Sequence, residues 1–550
     1  MDSTRDIDVL VVGAGPTGLT LATVLARAGV DCTIVDGKAG PVDETRALVV
    51  QAKTLELLDK LGLARLAVAE GKQLGAIALV SAGRRAGEIA LFGAGGDDRT
   101  PFPFVLVYDQ RQTERLLGRA IAEAGGRVDW GTELLSLAPG PTGSRATLRR
   151  PDGAVEAITA RWVVGADGAR SPVRHALELE FAGDTYEQSL FLADVDLAGA
   201  LGADQATMEL TADGFLAFFP FATPGRFRIF GTLPPTVAGD ERITAEELQG
   251  VLDQHSRLRP TITEARWTSA YRTHHRMTER FRRGRVFLAG DAAHIHSPAG
   301  GQGMNTGIGD AYNLGWKLAL VASGRARETL LDSYEAERMP FARAILNGSD
   351  RAFHLVATTS PVGQRVKLLA LPALFRLASR LPPLRRRLFW LVSQLWTSYR
   401  GSPAVAGTEP RGGGPRAGDR APFGHFTSGG DAGTSLFARL TGSEHHLLVF
   451  AGRRPATDGL REARLEIAAL LARWSAPVRL HSIPAAERRL HRIYGVDLPT
   501  LILVRPDGHV GYRGSAADLA AFARYLDGLF VPRSEATGQS PAAFHAVTAD

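Results

Sequence analysis

A chain of 550 residues exceeds the size at which one hydrophobic core keeps growing, so two or three domains are expected. Its 45% apolar and 22% charged residues are ordinary for a globular protein and exclude disorder as the default state. The formal net charge of +6 is a mild excess that helps to attract an anionic ligand, and it does not indicate a nucleic-acid partner.

Cysteine usage and hydropathy narrow the cellular setting. Cys32 is the only cysteine, which rules out an intramolecular disulfide and a cysteine-based metal cluster. The first residues lack the basic region and long apolar stretch of a secretory signal. No apolar run approaches the roughly 20 residues that are needed to span a bilayer. We therefore expect a cytoplasmic protein without a transmembrane segment.

The first predicted elements form a βαβ unit. A strand over 7–12 precedes a glycine-rich turn, a helix over 19–28 ends at Gly29, and a second strand covers 32–35. Farther along, the pattern predicts helices over 54–61 and 113–123 and short strands over 76–80 and 87–92.

The pattern changes in the middle of the chain. Residues 181–268 contain short strands rich in Phe, Val and Ile that are separated by turns, which predicts an inserted β-sheet domain. Alternation of strands and helices then returns, with a strand over 285–288 and helices over 310–321 and 331–347.

A basic stretch follows these helices. Residues 351–408 contain no Asp or Glu, while Arg and Lys alternate with Leu, Phe and Trp. One interpretation is a basic amphipathic helix that lies on an anionic membrane surface. The interpretation that we favour is a helical pair packed on the first domain with its arginines in solvent.

The pattern of the C-terminal part predicts a small α/β domain. A Gly/Pro/Arg-rich stretch over 401–422 predicts a linker, and the tail over 534–550 is expected to be disordered. Between them the pattern predicts strands over 446–450, 478–481, 500–504 and 509–512 and helices over 460–474 and 516–529.

The turn of the βαβ unit has the form of a phosphate-binding loop. Its sequence is Gly13-Ala14-Gly15-Pro16-Thr17-Gly18. The first glycine permits the tight turn, the second lets the backbone approach a pyrophosphate, and the third lets helix and strand pack closely. The helix N-terminus adds amide donors. Asp36 ends the second strand, where a carboxylate can accept from ribose hydroxyls. The motif predicts a dinucleotide, either NAD(P) or FAD.

Two later segments decide between these cofactors. Residues 162–171 contain Asp167-Gly168, and residues 284–294 contain Gly290-Asp291. Both resemble the further FAD motifs of flavoprotein hydroxylases. With three motifs in order, nearly the whole chain resembles the single-component FAD-dependent aromatic hydroxylases of the para-hydroxybenzoate hydroxylase fold, and among them the phenol and aromatic-polyketide hydroxylases.

The resemblance assigns cofactor roles to individual residues. Asp291 matches the acid that contacts the flavin ribityl chain, and Asp167 with Gly168 matches a pair associated with both FAD and NAD(P)H. Arg46 matches an arginine near the pyrophosphate. Gln110 and Leu134 match positions that contact the ribityl and adenosine portions.

The same resemblance places the loop after Asp291 beside the flavin ring. Pro298 matches a proline whose carbonyl faces the oxygen-reacting carbon, so Arg46 and the Pro298 backbone are the implied catalytic groups, with no base assigned. The other implied cofactor contacts here are Gly290, Gly301, Gly303, Met304 and Asn305. His294 and His296 have no third ligand in their turn, so no metal is expected.

Two features test the fit to the family. The second strand ends in Asp36-Gly37-Lys38, where the family usually has Glu followed by Arg, so the ribose geometry is in question. The chain has neither a second GxGxxG nor a CxxC, which favours a hydroxylase over a two-dinucleotide disulfide reductase. Hydroxylases of this family bind NADPH without a separate Rossmann domain.

The implied reaction is hydroxylation of an aromatic, phenolic or polyketide-type substrate. NADPH (or NADH) reduces FAD, O2 is captured as a flavin C4a-hydroperoxide, and electrophilic oxygen passes to the ring. We expect the substrate between flavin and sheet, lined by Phe218, Phe219 and Phe221, with His274 and His275 as visible candidates for a base. Two alternatives stay open: Baeyer–Villiger oxygenation of a polyketide ketone, and a flavin-binding accessory protein without turnover.

The resemblance also implies an architecture. We expect an α/β fold with a Rossmann-type FAD-binding domain, an inserted β-sheet substrate domain and a C-terminal thioredoxin-like domain. The last cannot exchange dithiols because Cys32 lies elsewhere, so a packing or dimer-contact role is expected, and a homodimer is left open. The predicted boundaries are 1–180 for the first FAD-binding part with a short sheet contribution near 74–105, 181–270 for the substrate domain, 271–400 for the second FAD-binding part and helical segment, 401–422 for the linker, 423–532 for the thioredoxin-like domain and 533–550 for the tail.

Overall fold

The computed structural model describes residues 5–42, 46–90, 99–199, 201–234, 243–298, 300–358, 360–410, 412–453 and 459–535. These described residues form two 8-stranded sheets, one 5-stranded sheet and one 3-stranded sheet, with helices packed against them. The predicted α/β fold class is therefore confirmed.

The elements are numbered in chain order. The first strands are β1 (Arg5–Val12), β2 (Cys32–Asp36), β3 (Val49–Val50), β4 (Lys72–Leu74), β5 (Ala76–Ser81), β6 (Arg84–Ala90), β7 (Val105–Val107), β8 (Val128–Trp130), β9 (Glu133–Pro139), β10 (Ser144–Arg149) and β11 (Val155–Gly165). The first helices are α1 (Pro16–Arg27), α2 (Ala52–Lys60), α3 (Ala64–Glu70), α4 (Gln110–Glu123) and α5 (Pro172–Ala176).

The middle of the chain adds strands and long helices. The strands are β12 (Phe181–Ala198), β13 (Gln205–Thr211), β14 (Gly214–Pro220), β15 (Arg226–Thr232), β16 (Thr261–Thr278), β17 (Arg282–Arg283), β18 (Val286–Leu288) and β19 (His294–Ile295). The helices are α6 (Ala245–His255), α7 (Gly303–Ala322), α8 (Asp332–Ala357), α9 (Pro361–Arg365), α10 (Leu371–Arg380) and α11 (Pro382–Val392). The C-terminal elements are β20 (Ala406–Gly407), β21 (His445–Phe450), α12 (Gly459–Leu471), β22 (Val478–Ile483), α13 (Arg488–Ile493), β23 (Thr500–Val504), β24 (Val510–Ser515) and α14 (Leu519–Leu529).

The first large sheet is parallel along the order β18-β11-β1-β2-β8. Its central strand β1 is buried on both faces, and Val9, Leu10 and Val11 are 0% exposed, because apolar residues of α1, α4 and α7 share the same core. Parallel strands end at a common edge, so the turns that follow β1, β11 and β18 lie side by side. This edge therefore brings the three predicted motifs together.

The second large sheet has the order β19-β16-β12-β15-β14-β13-β5-β6. It is assembled from three separate segments, since β5 and β6 come from the first part of the chain and β19 from the loop after β18. The predicted sheet segment over 181–270 is thus only a part of this sheet. Helix α6 packs on one face, and α8 packs on the other.

The basic stretch packs on the second sheet. In α10, Arg376 Nε donates to the Ala86 carbonyl at 3.0 Å, and Phe375 lies beside Gly87 of β6. The structure therefore agrees with the interpretation of this stretch as packed helices. The surface on which they pack is the edge of the second sheet. Large apolar side chains remain exposed here, among them Leu369, Leu374 and Leu377. Among the described residues, no helix has the length and apolar character to cross a membrane.

The C-terminal domain is built on the sheet β20-β24-β23-β21-β22. Strand β21 runs parallel to β22 and antiparallel to β23. The predicted linker over 401–422 contributes β20, which pairs with β24, and Arg420 forms a bridge with His509. That stretch is therefore part of the C-terminal domain and not a free connection. Of the predicted tail, residues 536–550 lie outside the described residues.

A buried ionic cluster joins the C-terminal domain to the helices of the first domain. Glu337 of α8 accepts from Arg505 Nη1 at 2.7 Å and Nη2 at 2.8 Å, and from Lys317 Nζ of α7 at 2.8 Å. Ser402 and Asn313 complete its partners. Burial would raise the pKa of Glu337, but Arg505 and Lys317 outweigh burial and hold it at about 2. The carboxylate is therefore ionised and fully paired.

We predict that Arg505→Met destabilises the protein by about 3–5 kcal/mol, because Glu337 keeps its charge and loses its bidentate partner in a buried setting. Urea unfolding followed by circular dichroism measures the change. Arg266→Met is the matched control, since Arg266 pairs with Asp196 at the surface and exposed pairs contribute little. An Arg505→Met protein as stable as the control would contradict the account.

Candidate functional site

The glycine-rich turn after β1 requires its glycines. Gly13 has φ +101°, and a Cβ there would lie 2.3 Å from the Ala166 carbonyl oxygen. A Cβ on Gly18 would lie 1.8 Å from the Gly13 carbonyl oxygen. A Cβ on Gly15, in contrast, would meet nothing within 4 Å. The turn is thus closed toward the protein and open at Gly15, where the backbone can approach a ligand.

Helix α1 begins at this opening. Its N-cap is Gly15, no side chain caps the helix, and Pro16 occupies the first turn without any acidic residue. The first-turn amides and the positive end of the helix dipole therefore face outward without an internal acceptor. By comparison, α4 and α6 begin with complete capping boxes from Asp109 and Thr244. The start of α1 is suited to a pyrophosphate.

Asp36 is held against the same turn. Its Oδ2 accepts from the Ala14 amide at 2.7 Å, and its Oδ1 accepts from the Lys38 amide at 2.9 Å. The side chain is 12% exposed. The shorter acid at the end of β2 is therefore fixed next to the phosphate-binding turn, which is the place that a ribose contact requires.

The second motif follows β11. Asp167 Oδ2 accepts from the Val173 amide at 3.0 Å, and burial raises the pKa of this carboxyl. Gly168 has φ +79° and open space around its Cβ position. Arg174, which sequence reasoning missed, donates to the carbonyls of Ala169 at 2.8 Å and Ala292 at 2.9 Å. It therefore ties the second motif to the third.

The third motif is the turn Gly290-Asp291 after β18. Gly290 has φ +60°, and a Cβ there would lie 2.5 Å from Thr17 Oγ1, so the first and third motifs are in contact. Asp291 is exposed on one side, yet the surrounding protein atoms desolvate its carboxyl and raise its pKa, against the opposing effects of His294 and Arg46. Exposure combined with desolvation is expected of a group in the wall of a deep cleft.

A buried carboxylate that sequence reasoning did not single out holds this turn. Asp310 Oδ2 accepts from the Gly290 amide at 3.1 Å and from His294 Nε2 at 2.7 Å, while Arg338 Nε donates to Oδ1 at 2.7 Å. Burial would raise the pKa of Asp310, but Arg338 and His294 outweigh burial and lower it. No local motif marks Asp310, because its partners are 20, 16 and 28 positions away.

The two histidines of the loop have hydrogen-bonding roles. His294 pairs with Asp310, and His296 Nδ1 lies 2.9 Å from the Ser297 carbonyl oxygen. Burial lowers the pKa of His296 to about 4, so this ring is neutral. Within the described part of the chain, no group of three or more His, Cys, Asp or Glu side chains could hold a metal ion.

The loop from Pro298 to Gly301 closes a tight turn. The Pro298 carbonyl accepts from the Gly301 amide at 3.0 Å. Gly300 and Gly301 have φ +79° and +62°, and a Cβ on Gly301 would lie 2.4 Å from Val49 Cγ2. Glycine is thus required where the loop meets β3. Ala299, between Pro298 and Gly300, lies outside the described residues.

Asn305 anchors that loop to the chain before α2. Its Nδ2 donates to the carbonyls of Val49 and Gly301, each at 2.9 Å, and its Oδ1 accepts from the Gln51 amide at 2.9 Å. Gln51 Nε2 donates to the Gly300 carbonyl at 3.0 Å. Helix α7 begins at Gly303, and no side chain caps it, so its N-terminal amides are available to an electron-rich ligand edge.

The remaining predicted cofactor residues are distributed unevenly. The Arg46 guanidinium lies 4.8 Å from the centroid of the Tyr271 ring, and the Gln110 amide donates to the Ala47 carbonyl at 3.0 Å, so both adjoin the segment before β3. Met304 is half-buried at the start of α7. Leu134, in contrast, packs its side chain into the main core and is 7% exposed.

Strand β14 and the residue just after it place the predicted substrate residues on opposite faces of the second sheet. Phe219 and Phe221 pack with Leu48 and Val49, on the side of the loop from Pro298 to Gly301. Phe218 is 1% exposed and belongs to the core beneath α6. Because successive side chains of a strand point to opposite faces of the sheet, Phe218 cannot lie on the same face as Phe219. The expectation for Phe218 is therefore corrected to a core role.

The face of the second sheet that holds Phe219 carries further aromatic residues. The rings of Phe219 and Phe230 are stacked with centroids 6.3 Å apart, and Tyr186 and Phe353 of α8 are in edge contact at 4.6 Å. Tyr271 packs in the same cluster. Apart from Phe219, sequence reasoning missed these residues, because the register of β12, β15 and β16 decides which side chains share a face.

The two candidate bases occupy the end of β16. His274 Nδ1 lies 2.7 Å from Thr185 Oγ1. Burial lowers the pKa of His274, and Arg276 and Arg46 lower it further, so the ring is neutral near pH 7. His275 stands beside the Tyr186 ring, with centroids 5.7 Å apart.

This geometry agrees with sequence comparison. Residues 6–349, which are more than half of the chain, match the family model of an FAD binding domain. The chain belongs to this family of FAD-dependent monooxygenases. The family prediction made from the three motifs is confirmed, and FAD is the cofactor that the family binds.

The FAD-dependent monooxygenase aligns with similar proteins over most of its length. It is 36% identical to the 6-methylpretetramide 4-monooxygenase of Streptomyces rimosus over 546 residues, 97% of this chain and 96% of that protein. It is 35% identical to the pentachlorophenol 4-monooxygenase of Sphingobium chlorophenolicum over 429 residues, 76% of each chain. The anhydrotetracycline hydroxylase OxyS from Streptomyces rimosus matches the fold with a TM-score of 0.73 at 27% identity, covering 96% of this chain and 100% of that chain.

We predict that Asp291→Ala weakens FAD binding about tenfold or more. The exposed carboxylate in the Gly290 turn is the strongest acceptor that the third motif offers to a cofactor hydroxyl, and such a charge-assisted hydrogen bond contributes roughly 1.5–3 kcal/mol. Titration of the apoprotein with FAD measures the change. Asp204→Ala, which removes a carboxylate that is 85% exposed at the surface, is the control. An unchanged Kd for Asp291→Ala would assign that residue a structural role.

Proposed function

We propose that this monooxygenase hydroxylates an electron-rich, phenol-like ring of a polyketide-type molecule, with NADPH, or else NADH, as reductant. The observation that carries the proposal is the aromatic face of the second sheet, which packs on the segment Leu48–Val49 beside the Gly301 turn. The curated relatives support it, since they are named for oxidation of a pretetramide and of a chlorinated phenol.

The cleft that we propose between this aromatic face and the loop from Pro298 to Gly301 suits a flat substrate with one anionic group. Phe219 and Phe230 offer ring surfaces for stacking, and Arg46 supplies a cation over the ring of Tyr271. Burial raises the pKa of Tyr271 to about 12, so its hydroxyl stays neutral and can donate to a phenolate. A phenolate is the electron-rich form of the ring, and a nearby guanidinium stabilises that form.

His274 is the group that we propose as acceptor of the phenolic proton. Its neutral ring, held by Thr185, has the protonation state that a base needs. Arg46, which lowers the pKa of His274, also discourages the ring from keeping the proton. The proton therefore passes through His274 toward solvent.

The bound cofactor supplies the reduction and O2 chemistry, and the chain supplies binding, orientation and exclusion of water. Gly13, Gly15 and Asp36 would hold the adenosine and pyrophosphate half, and Asp291 with the amides of α7 would hold the ribityl and ring half. The sequence contains one GxGxxG, so the nicotinamide and the aromatic substrate are expected to share the cleft beside the Pro298 loop. Sharing makes their order of binding matter.

We predict that a correct aromatic substrate accelerates anaerobic reduction of the bound flavin by NADPH, because unproductive reduction of O2 is avoided when the substrate triggers the step. Stopped-flow absorbance measures the rate with a panel of phenols, naphthoquinones and polyketides that includes 6-methylpretetramide. A mimic that cannot be hydroxylated should accelerate reduction and release H2O2 in air. Equal rates without any aromatic ligand, and no incorporation of labelled O2, would contradict the proposal.

Two matched variants distinguish a substrate-binding role from a role in the core. Phe219→Ala should weaken substrate binding roughly threefold to tenfold through the loss of stacking. Phe218→Leu should lower the melting temperature and leave substrate affinity unchanged, because Phe218 packs beneath α6. A product with the new oxygen inside a ring-expanded lactone would instead support the Baeyer–Villiger alternative.

A further inference from the structure

The C-terminal domain presents one turn, Arg505 to His509, to the helices behind the cofactor site. Asp507 in this turn accepts from Arg505, from Trp316 Nε1 at 3.3 Å and from the His509 amide at 3.1 Å. Arg505 is in turn held by Glu337. The turn is therefore buried and fixed, although the domain has no cysteine pair and cannot perform dithiol exchange.

We propose that this turn is a positioning element of the cofactor site: it holds the Gly290-Asp291 turn through Tyr399 and the Gly300-Gly301 turn through α2. The proposal rests on the FAD binding of the family and is independent of which substrate is hydroxylated.

The first connection runs through aromatic and charged side chains. The His509 ring packs on the Tyr399 ring with centroids 4.2 Å apart. The Tyr399 hydroxyl accepts from Arg338 Nη1 at 3.0 Å, and Arg338 Nε donates to Asp310 at 2.7 Å. Asp310 then binds the Gly290 amide. Four contacts thus join the C-terminal turn to the backbone of the third FAD motif.

In the described part of the chain, Arg338 donates hydrogen bonds to two side chains, those of Asp310 and Tyr399. Of these two, only Tyr399 is not an ionic partner. Burial raises the pKa of Tyr399 to about 12, so the hydroxyl is neutral and serves as a fixed acceptor. Arg338 has a further bond to the Thr306 carbonyl of α7 at 3.2 Å. With Tyr399 in place, the guanidinium has one geometry, and Asp310 is oriented accordingly.

The second connection runs through helix α2. Three of its side chains, spaced along one helical face, bind the C-terminal domain. Lys53 Nζ donates to the Asp507 carbonyl at 2.9 Å, Glu56 pairs with Arg420, whose Nε lies at 2.8 Å, and Lys60 Nζ donates to the Leu440 carbonyl at 2.7 Å. The helix is therefore clamped along its length.

The start of α2 connects these contacts to the Gly300-Gly301 turn. Gln51, the N-cap of α2, donates to the Gly300 carbonyl and binds Asn305 with its amide. Both connections meet at a narrow cavity whose lining includes Lys53, Asn305, Arg338, Tyr399, Asp507 and His509. The C-terminal turn therefore contacts the supports of both cofactor turns at one place.

Tyr399→Phe tests the first connection and Glu56→Gln tests the second. The phenylalanine keeps the ring that packs on His509 and removes only the acceptor for Arg338, and the glutamine keeps the shape of the α2 clamp and removes its charge. Tyr494→Phe is the matched control, because its buried hydroxyl donates to the Pro422 carbonyl at 2.8 Å within the C-terminal domain. All three variants are full-length proteins.

Three measurements on each variant distinguish positioning from stability. They are the Kd of the apoprotein for FAD, the visible circular dichroism of the bound flavin with its two-electron midpoint potential, and the melting temperature without FAD. We expect Tyr399→Phe and Glu56→Gln to raise the Kd roughly threefold to tenfold and to change the flavin dichroism or potential. Tyr494→Phe should lower the melting temperature about as much as the other two variants do, and it should leave the Kd and the flavin signals unchanged.

Two results would overturn the proposal. One is wild-type FAD affinity, dichroism and potential in both Tyr399→Phe and Glu56→Gln. The other is an equal change in Tyr494→Phe, which would mean that FAD binding follows overall stability. No substrate enters these measurements, so a failure here leaves the hydroxylase proposal standing, and a failure to find a substrate leaves this one standing.

Discussion

The proposed cofactor site depends on one buried carboxylate. Asp310 of α7 holds the Gly290 amide and His294 on one side and Arg338 of α8 on the other. A buried charge is tolerated only when it is paired and fully hydrogen-bonded, so these partners have little freedom to move apart. The turn that carries Asp291 is therefore fixed relative to the two long helices.

This constraint links the sheet edge to the rest of the molecule. The turn after β18 is pinned to α7 by Asp310 and to the Asp167 motif by Arg174, and Thr17 fills the space beside Gly290. The three motifs are thus held together at one edge of the first sheet. The second sheet approaches that edge through the segment before α2, where Arg46 contacts Tyr271 and Val49 contacts Gly301. The same few contacts therefore position both the proposed cofactor surface and the proposed substrate surface.

The sequence predicted the parts of the site that follow from local geometry. The Gly13 turn and Asp36 belong to one βαβ unit, and the Asp167 and Gly290 turns each follow a buried strand, so their common edge is a consequence of parallel pairing. Phe218 was placed wrongly because only the register of β14 with its neighbours decides its face. The segment over 401–422 resembled a linker because its pairing partner, β24, is about a hundred residues away.

We infer that Asp310 fixes the third motif for FAD, and Asp310→Asn tests this role most directly because asparagine keeps the shape and removes the charge. Glu209→Gln is the control, since Glu209 is a buried carboxylate bound to Ser256 in the second sheet. The decisive measurement is the Kd of each apoprotein for FAD. We predict an increase of about tenfold or more for Asp310→Asn and none for Glu209→Gln. Wild-type affinity in Asp310→Asn would contradict the account.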